Sequence, residues 1–396
     1  MLPVLLLSYV ALIAADWNEW RGPHRDGTLI EEPKSWPEKL VQKWKITVGE
    51  GHASPILAGG TIYVFARQNG QETALSVDPS NGNVRWRQQY PAPYKMNPAA
   101  VGHGEGPKST PLYSGGKLYT LGISGILSCF DAETGKLRWR KDKPNSPTFG
   151  TAMSPLLDGG MLIVHLGETD HGMLTAFDPE SGQVKWTWTG DGPAYASPVA
   201  VELGGVRQLV TQTQKNIVGI ASASGKLLWK IPFTTPYEQN IVTPVVYHDT
   251  LILSGLDNGT MAVRLIHKGD TWSTERVWQT KDVGMYMNSP VILGDLLFGF
   301  SHLKKGQLFC LDPRTGAKLW VGPPRDGDNA ALLVSSTSFL ELKNDGELVV
   351  ARPSGKSLEV IRQYTVPDSP TWAHPVVLAD GVLIKDAKTL TRWSVN

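Results

Sequence analysis

One short phrase recurs through the 396 residues of this chain. Asp131-Ala-Glu-Thr-Gly-Lys-Leu-Arg-Trp139 has close copies at Asp78–Trp86, Asp178–Trp186 and Asp312–Trp320. Ala221-Ser-Ala-Ser-Gly-Lys-Leu-Leu-Trp229 repeats it with the leading Asp lost. Before each copy lies a short apolar run, such as Ala74-Leu75-Ser76-Val77. The Asp side chain can accept hydrogen bonds from the turn backbone, and a following Pro fixes φ. The Gly supplies the φ > 0 corner of a bulged hairpin. The unit is therefore a β-hairpin whose second strand always offers an indole. An indole at one fixed place per unit predicts a packing knob between neighbouring units, not a cofactor-stacking surface. Trp44, Trp86, Trp139, Trp186, Trp229, Trp278 and Trp320 are assigned that role.

A second signal opens each unit: Ser54-Pro55, Thr110-Pro111, Ser154-Pro155, Ser197-Pro198, Thr243-Pro244, Ser289-Pro290 and His374-Pro375. Successive prolines are 56, 44, 43, 46, 46 and 85 residues apart. The last gap holds two periods, with Ala330-Ala331 where a proline is missing. Eight units of about 45 residues have the length of a propeller blade. After each proline come an apolar run, a Gly-rich turn and another apolar run, so each unit supplies four antiparallel strands. No window carries a sustained helical period. The expected fold is all-β, an eight-bladed β-propeller.

The copies decay unevenly. Blade 5 has Arg264–Trp272 in place of the short phrase, read as a longer connection. Blade 7 has Ala351-Arg-Pro-Ser-Gly355 and no Trp where one is due. Blade 8 ends one strand short, at Leu390-Thr-Arg-Trp393. The missing outer strand is expected from Leu40–Ile46, which carries Trp44 and would close the ring and remove two exposed edges. Trp17–Gly27 is expected to form an irregular strap over the outside.

Leu2–Ala15 is apolar but too short to span a bilayer, and small residues at Ala14 and Ala15 precede polar Asp16. It reads as a signal peptide over 1–15, leaving 16–396 as a single domain in the periplasm or outside the cell, with no transmembrane span after signal removal. A net charge of +1 gives no electrostatic footprint for nucleic acid. Cys129 and Cys310 occupy one repeated small position on opposite sides of the ring, beyond disulfide reach, and are read as free structural thiols.

The Ala-x-Asp-x-x-Thr-Gly-x-x-x-Trp turns resemble the pyrroloquinoline-quinone-like (PQQ-like) β-propeller repeat family across residues 17–396. Trp20–Gly27, Gly106–Pro111 and Thr371–Pro375 look like segments of secreted bacterial members. In one branch, the quinoprotein dehydrogenases, the resemblance implies PQQ and Ca²⁺ on the ring axis, with an adjacent Cys-Cys disulfide and an Asp base. This chain has no adjacent cysteines and no Cys-x-x-Cys-His, so no catalytic or metal residue is carried over. The other branch resembles the outer-membrane assembly factor BamB, a binding scaffold without cofactor, although the lipidated Cys of that protein is missing here.

In a propeller, the loops leading into the innermost strands converge on the axis. Here they contribute His52, Lys108, Ser109, Thr151, Tyr195, Asn240, Tyr286, Asn288, Asn329, Trp372 and His374, a candidate mouth for a small polar ligand. None is a carboxylate, which favours a scaffold over a dehydrogenase. The longest such loop, Tyr94–Lys108, reads as a mobile lid or contact surface. His103 with Glu105 lacks a third metal ligand, and Glu168-Thr-Asp-His171 reads as an exposed turn rather than a metal site. Gly102-x-Gly-x-Gly106 precedes no helix and is no dinucleotide fingerprint. The expectation is a non-catalytic, monomeric scaffold without cofactor, taking a protein partner or a small polar ligand. A PQQ- and calcium-dependent alcohol or sugar dehydrogenase is the alternative.

Overall fold

The structure is a computed structural model that describes residues 16–142, 145–366 and 368–396. The apolar leader at 1–15 lies outside the described residues. Eight four-stranded antiparallel sheets are arranged as the blades of a propeller. The blades span residues 56–91, 112–141, 156–190, 199–232, 245–280, 291–321 and 330–365, and the eighth takes 376–394 together with 41–47. Val41–Thr47 pairs antiparallel with Thr389–Ser394, in the register Val41↔Ser394 and Ile46↔Leu390. The first strand of the chain thus completes the last blade. No helix among the described residues is long and apolar enough to cross a membrane.

The repeated phrase builds both the turn and the joint between blades. Asp131 Oδ1 accepts from the Thr134 backbone N–H at 2.9 Å, and Arg138 closes the hairpin on the same carboxylate at 2.6 Å. These bonds, the backbone one foremost, hold the Asp131 carboxyl down at about 2. Gly182, at φ 66°, then serves the next blade. Trp139 donates Nε1–H to the Pro179 carbonyl at 3.0 Å, and a Cβ on Gly182 would stand 2.8 Å from the indole. The same seat recurs for Trp44 on Gly82, Trp86 on Gly135, Trp186 on Gly225 and Trp278 on Gly316. Trp320 donates to the Ser354 carbonyl of blade 7.

Trp229 departs from the pattern. Blade 5 has no Asp-x-x-x-Gly turn to receive it, so it turns back onto its own blade, donating to Gln208 Oε1 at 2.6 Å over Gly219. The replacement in blade 5 is also not a longer connection. Gly259–Lys268 and Thr271–Thr280 are ten-residue strands joined by a two-residue turn, and the extra length reaches sideways. His267 stacks on Trp272 at 4.2 Å and takes the Gly204 carbonyl of blade 4 at 2.8 Å. In blade 7, Arg362 stands where the indole is due, opposite Val350, and bonds the Pro37 carbonyl. Trp36, buried against Tyr364 at 6.2 Å, covers the position instead.

The Ser/Thr-Pro pairs form a belt around the axis. The Ser54 N–H donates to Thr110 Oγ1, Thr110 to Ser154, Ser154 to Ser197, Ser197 to Thr243 and Thr243 to Ser289, each at 2.9–3.1 Å. His374 closes the run on Ser54 Oγ at 2.8 Å. Blade 7, with Asn329-Ala330, has no hydroxyl to offer, and the belt breaks there.

Residues 16–29 do not cross the outside; they fill the axial channel. Trp17 forms an antiparallel bridge with Leu57 of blade 1, and Asn18 exchanges bonds with Tyr113 of blade 2. Arg25 donates to the Ser154 and Pro155 carbonyls of blade 3 and pairs with Glu19 at 2.6 Å. Arg21, wholly buried, donates to the Pro290 carbonyl beside the break in the belt. Leu29 bonds Val334 of blade 7, and Trp20 meets His374 of blade 8 edge-on at 5.9 Å. Blades 4 and 5 face the segment across a cavity of about 530 Å³. An eight-bladed ring leaves a central channel, and the segment's Trp and two Arg find apolar walls and strand-end carbonyls there that an outer surface would not offer.

Truncating Trp139 to Ala is expected to cost about 3 kcal/mol, near the low end for a buried aromatic because the ring is half-buried. Gly182→Ala is expected to cost about 1–3 kcal/mol. In the double variant the losses should fall short of their sum by more than about 0.5 kcal/mol, measured by urea unfolding. Strict additivity would show that the indole does not rest on that glycine.

Candidate functional site

At the end of the channel opposite the plug, the loops leading into the innermost strands enclose a cavity of about 230 Å³. His52, Lys108, Tyr195, Tyr286 and Trp372 line it, five of the eleven positions the sequence assigns to the mouth. The other six sit behind its wall, and Thr151, Asn240, Asn288 and Asn329 make structural bonds there. Asn240 Nδ2 donates to the Thr213, Gln214 and Phe233 carbonyls, and Asn288 Nδ2 to the Phe300 carbonyl. The Thr151 N–H donates to the Ile123 carbonyl, and that of Asn329 to Asn344 Oδ1. Ser109 is fully buried, and His374 lies below, against the plug. Sequence distance from the proline cannot separate a side chain aimed at the axis from one turned into the blade.

The Tyr94–Lys108 loop folds over the mouth. Asn97 caps a short 3₁₀ turn, Pro98–His103, whose Ala99, Ala100 and His103 form part of the lining. The Pro107 carbonyl anchors the loop by accepting from the His52 and Ala53 N–H groups at 2.8 and 2.9 Å. Gly106 permits this approach, since a Cβ there would stand 2.2 Å from the Glu50 carbonyl oxygen. His103 thereby joins the site, its ring 4.7 Å from Trp372 and 6.2 Å from His52. Sequence reading paired His103 with Glu105; the structure separates them, and Glu105 lies 3.9 Å from Arg67. Phe149, Ala152, Gln239, Ile241 and Met287 complete the wall. Their place one or two residues from the predicted positions was the signal that could have found them.

The electrostatics of the cavity are one-sided. No Asp or Glu lines it. Lys108 Nζ donates to the Phe149 carbonyl at 2.9 Å, and burial brings its ammonium down to about 8. Beneath His52, fully buried Lys385 is also lowered to about 8 by burial and donates to the Gly51 and Asp386 carbonyls. His52 falls to about 3, through burial first and then the neighbouring Lys385, His103 and Lys108, and its buried Nδ1 has no protein partner. Burial lowers His103 as well. At neutral pH the cavity therefore presents one ammonium and two neutral imidazoles between aromatic walls. Calcium takes six to eight oxygen ligands, carboxylates prominent among them, and this lining offers two phenols and one amide oxygen beside a cation. The residues do not fit a calcium-bound quinone.

Elsewhere, Glu168 and His171 end a two-residue hairpin turn in blade 3, with Asp170 paired to Lys215 at 2.6 Å. Among the described residues no group of three His, Cys, Asp or Glu side chains could hold a metal. Cys129 and Cys310 are free and buried, each thiol pushed up to about 12 by burial.

Blade number, turn chemistry and the axial mouth together define a PQQ-like β-propeller. A family model described as outer membrane protein assembly factor BamB matches residues 71–321, and the chain belongs to that family. Outer membrane protein assembly factor BamB of Yersinia pestis is 24% identical over 317 residues, 74% of this chain and 76% of that one. The dehydrogenase subunit of the quinone alcohol dehydrogenase of Acetobacter aceti is 26% identical over 159 residues, 37% of this chain and 21% of that one. Among solved structures, BamB from Moraxella catarrhalis superposes with a TM-score of 0.63 at 16% identity, covering 90% of this chain and all of that one. Quinohemoprotein alcohol dehydrogenase from Comamonas testosteroni gives 0.69 at 14% identity over 96% of this chain and 80% of that one. These superpositions speak to the fold, which both kinds of protein share.

Lys108 also leaves a mark on stability. The unfolded chain keeps that proton up to about 10.5, but the folded chain only to about 8. The charged ammonium therefore costs stability in full below about pH 8, and the cost fades as pH rises toward 10.5. The Tm difference between Lys108→Met and the parent should be more favourable to the variant at pH 7 than at pH 10. A difference independent of pH would mean the ammonium is not desolvated in the folded state.

Proposed function

We propose that this chain is a non-catalytic binding scaffold of the bacterial cell envelope, exported to the periplasm and working as a monomer beside outer-membrane protein assembly. Its mouth face and the loops at the blade edges would meet the partner. The observation that carries this reading is the lining of the mouth: a cation and two imidazoles stand there, with no carboxylate to ligate calcium or act as a base. The apolar leader at 1–15 supports export, and the match to the BamB family supports the envelope role.

Adding PQQ with Ca²⁺ to the purified protein is expected to leave Tm unchanged and to give no dye reduction with ethanol or glucose. A photo-crosslinker at Val101, on the lid and 62% exposed, is expected to capture a component of the outer-membrane assembly machinery in the host. The same group at His24, on the far mouth, should not. A saturable Tm rise with substrate-dependent dye reduction would replace the scaffold by a quinoprotein oxidoreductase.

A further inference from the structure

The mouth cavity holds a charge that no described residue neutralises. Lys108 spends one ammonium hydrogen on the Phe149 carbonyl, and among the described residues it has no carboxylate partner. The lid's acid, Glu105, is turned to Arg67, and no Asp or Glu lines the cavity. A half-buried, desolvated ammonium without an anion is costly, and evolution toward stability alone would replace it with an apolar side chain. Two imidazoles stand by, each with one ring N–H in its neutral form. His52 and His103 are both neutral, and the buried Nδ1 of His52 has no protein partner.

The remaining surface is apolar and aromatic. Trp372 and His103 meet edge to face at 4.7 Å, and Phe149 and Tyr195 stand 6.0 Å apart at 48°. Tyr195 receives the Phe149 N–H at 3.2 Å, and Tyr286 donates to Gln239 Oε1, so both phenol rings are fixed in place by their oxygens. Ala99, Ala100, Ala152, Ile241 and Met287 fill the gaps between the rings. At about 230 Å³ the space falls below the roughly 300–1,000 Å³ of clefts that hold drug-sized molecules.

We propose that the mouth binds a small aromatic monocarboxylate, its carboxylate on the Lys108 ammonium and the His52 imidazole, its ring against Trp372, Tyr195 and Tyr286. One ammonium balances one negative charge. A phosphate dianion would bring a second charge that Lys108 cannot balance, and Lys385, buried beneath His52, is already committed to the Gly51 and Asp386 carbonyls. A simple aliphatic acid would leave the aromatic wall wet. The assignment rests on the mouth being a binding site rather than a reaction centre, and it names the class of ligand that site takes.

The test uses the full mature chain and four probes: benzoate, its neutral isostere benzamide, acetate and inorganic phosphate. Binding is read by calorimetric titration and by Tm. Benzoate is expected to bind saturably, at least tenfold tighter than benzamide, acetate or phosphate. Lys108→Met should weaken benzoate at least tenfold while remaining folded by circular dichroism, and Trp372→Leu should weaken benzoate more than it weakens acetate. Equal affinity for benzoate and benzamide, tighter binding of phosphate, no saturable binding of benzoate, or no effect of Lys108→Met in a folded variant would each overturn the assignment. The probe comparison needs no variant, so a misfolded substitution does not leave the question open. Dye reduction with PQQ and calcium would instead sink the scaffold reading, whatever benzoate does.

Discussion

The ring rests on one contact made repeatedly: an indole from one blade lying on the turn glycine of the next. At five joints a Cβ on that glycine would stand 2.5–2.9 Å from the ring. The glycine is thus constrained twice, by its left-handed φ and by the need to lie flat under the Trp. This explains why the two residues travel together in the sequence. Where the pair is broken, both halves change. Trp229 finds no turn glycine in blade 5 and folds home onto Gln208, and blade 7, lacking its own Trp, is covered by Trp36 from the segment ahead of the first blade. The joint between blades 4 and 5 is then carried by His267 and Trp272 reaching back to Gly204.

Such a device is local in sequence, which is why the blades could be read directly. Four tight turns announce themselves by Asp, Gly and Trp, and six strand entrances by a hydroxyl and a proline, with His374-Pro375 a seventh. The Leu40–Ile46 strand was legible because blade 8 visibly lacked a partner. The channel plug was not. Residues 16–29 carry no period, and nothing in their sequence shows that the strand-end carbonyls of blades 3 and 6 receive Arg25 and Arg21. The mouth stood in between. Its loops were placed correctly by spacing, but a loop residue turns inward or outward according to its own φ and ψ, so Asn240 and Asn288 went to the backbone and His103 came to the cavity.

The near-zero net charge conceals a division of labour. The carboxylates of the repeated hairpin stand at the periphery, where Asp78, Asp131 and Asp178 are held low by turn hydrogen bonds and an Arg or Lys of the same hairpin. Cations collect near the axis, where the innermost strands end in carbonyl groups. Lys385, Lys108, Arg21 and Arg25 all donate to backbone oxygens there. Backbone dipoles hold Lys108 and Lys385 in place, so their positive field is left largely uncompensated at the mouth, whereas Arg25 in the plug is paired with Glu19.

The plug and the closing strand set the order in which the molecule can be made. Both lie within the first fifty residues, yet the seat of each is finished only when the carboxyl-terminal blade exists. During synthesis the leading segment must therefore wait, with Trp36 uncovered and Trp17 and Trp44 seated only on blade 1, for almost the whole chain to follow. Contacts of such sequence separation make folding slow. A chain stalled before blade 8 would present sticky aromatics at one end and a bare strand edge at the other, an intermediate that quality-control machinery in its compartment has to shield.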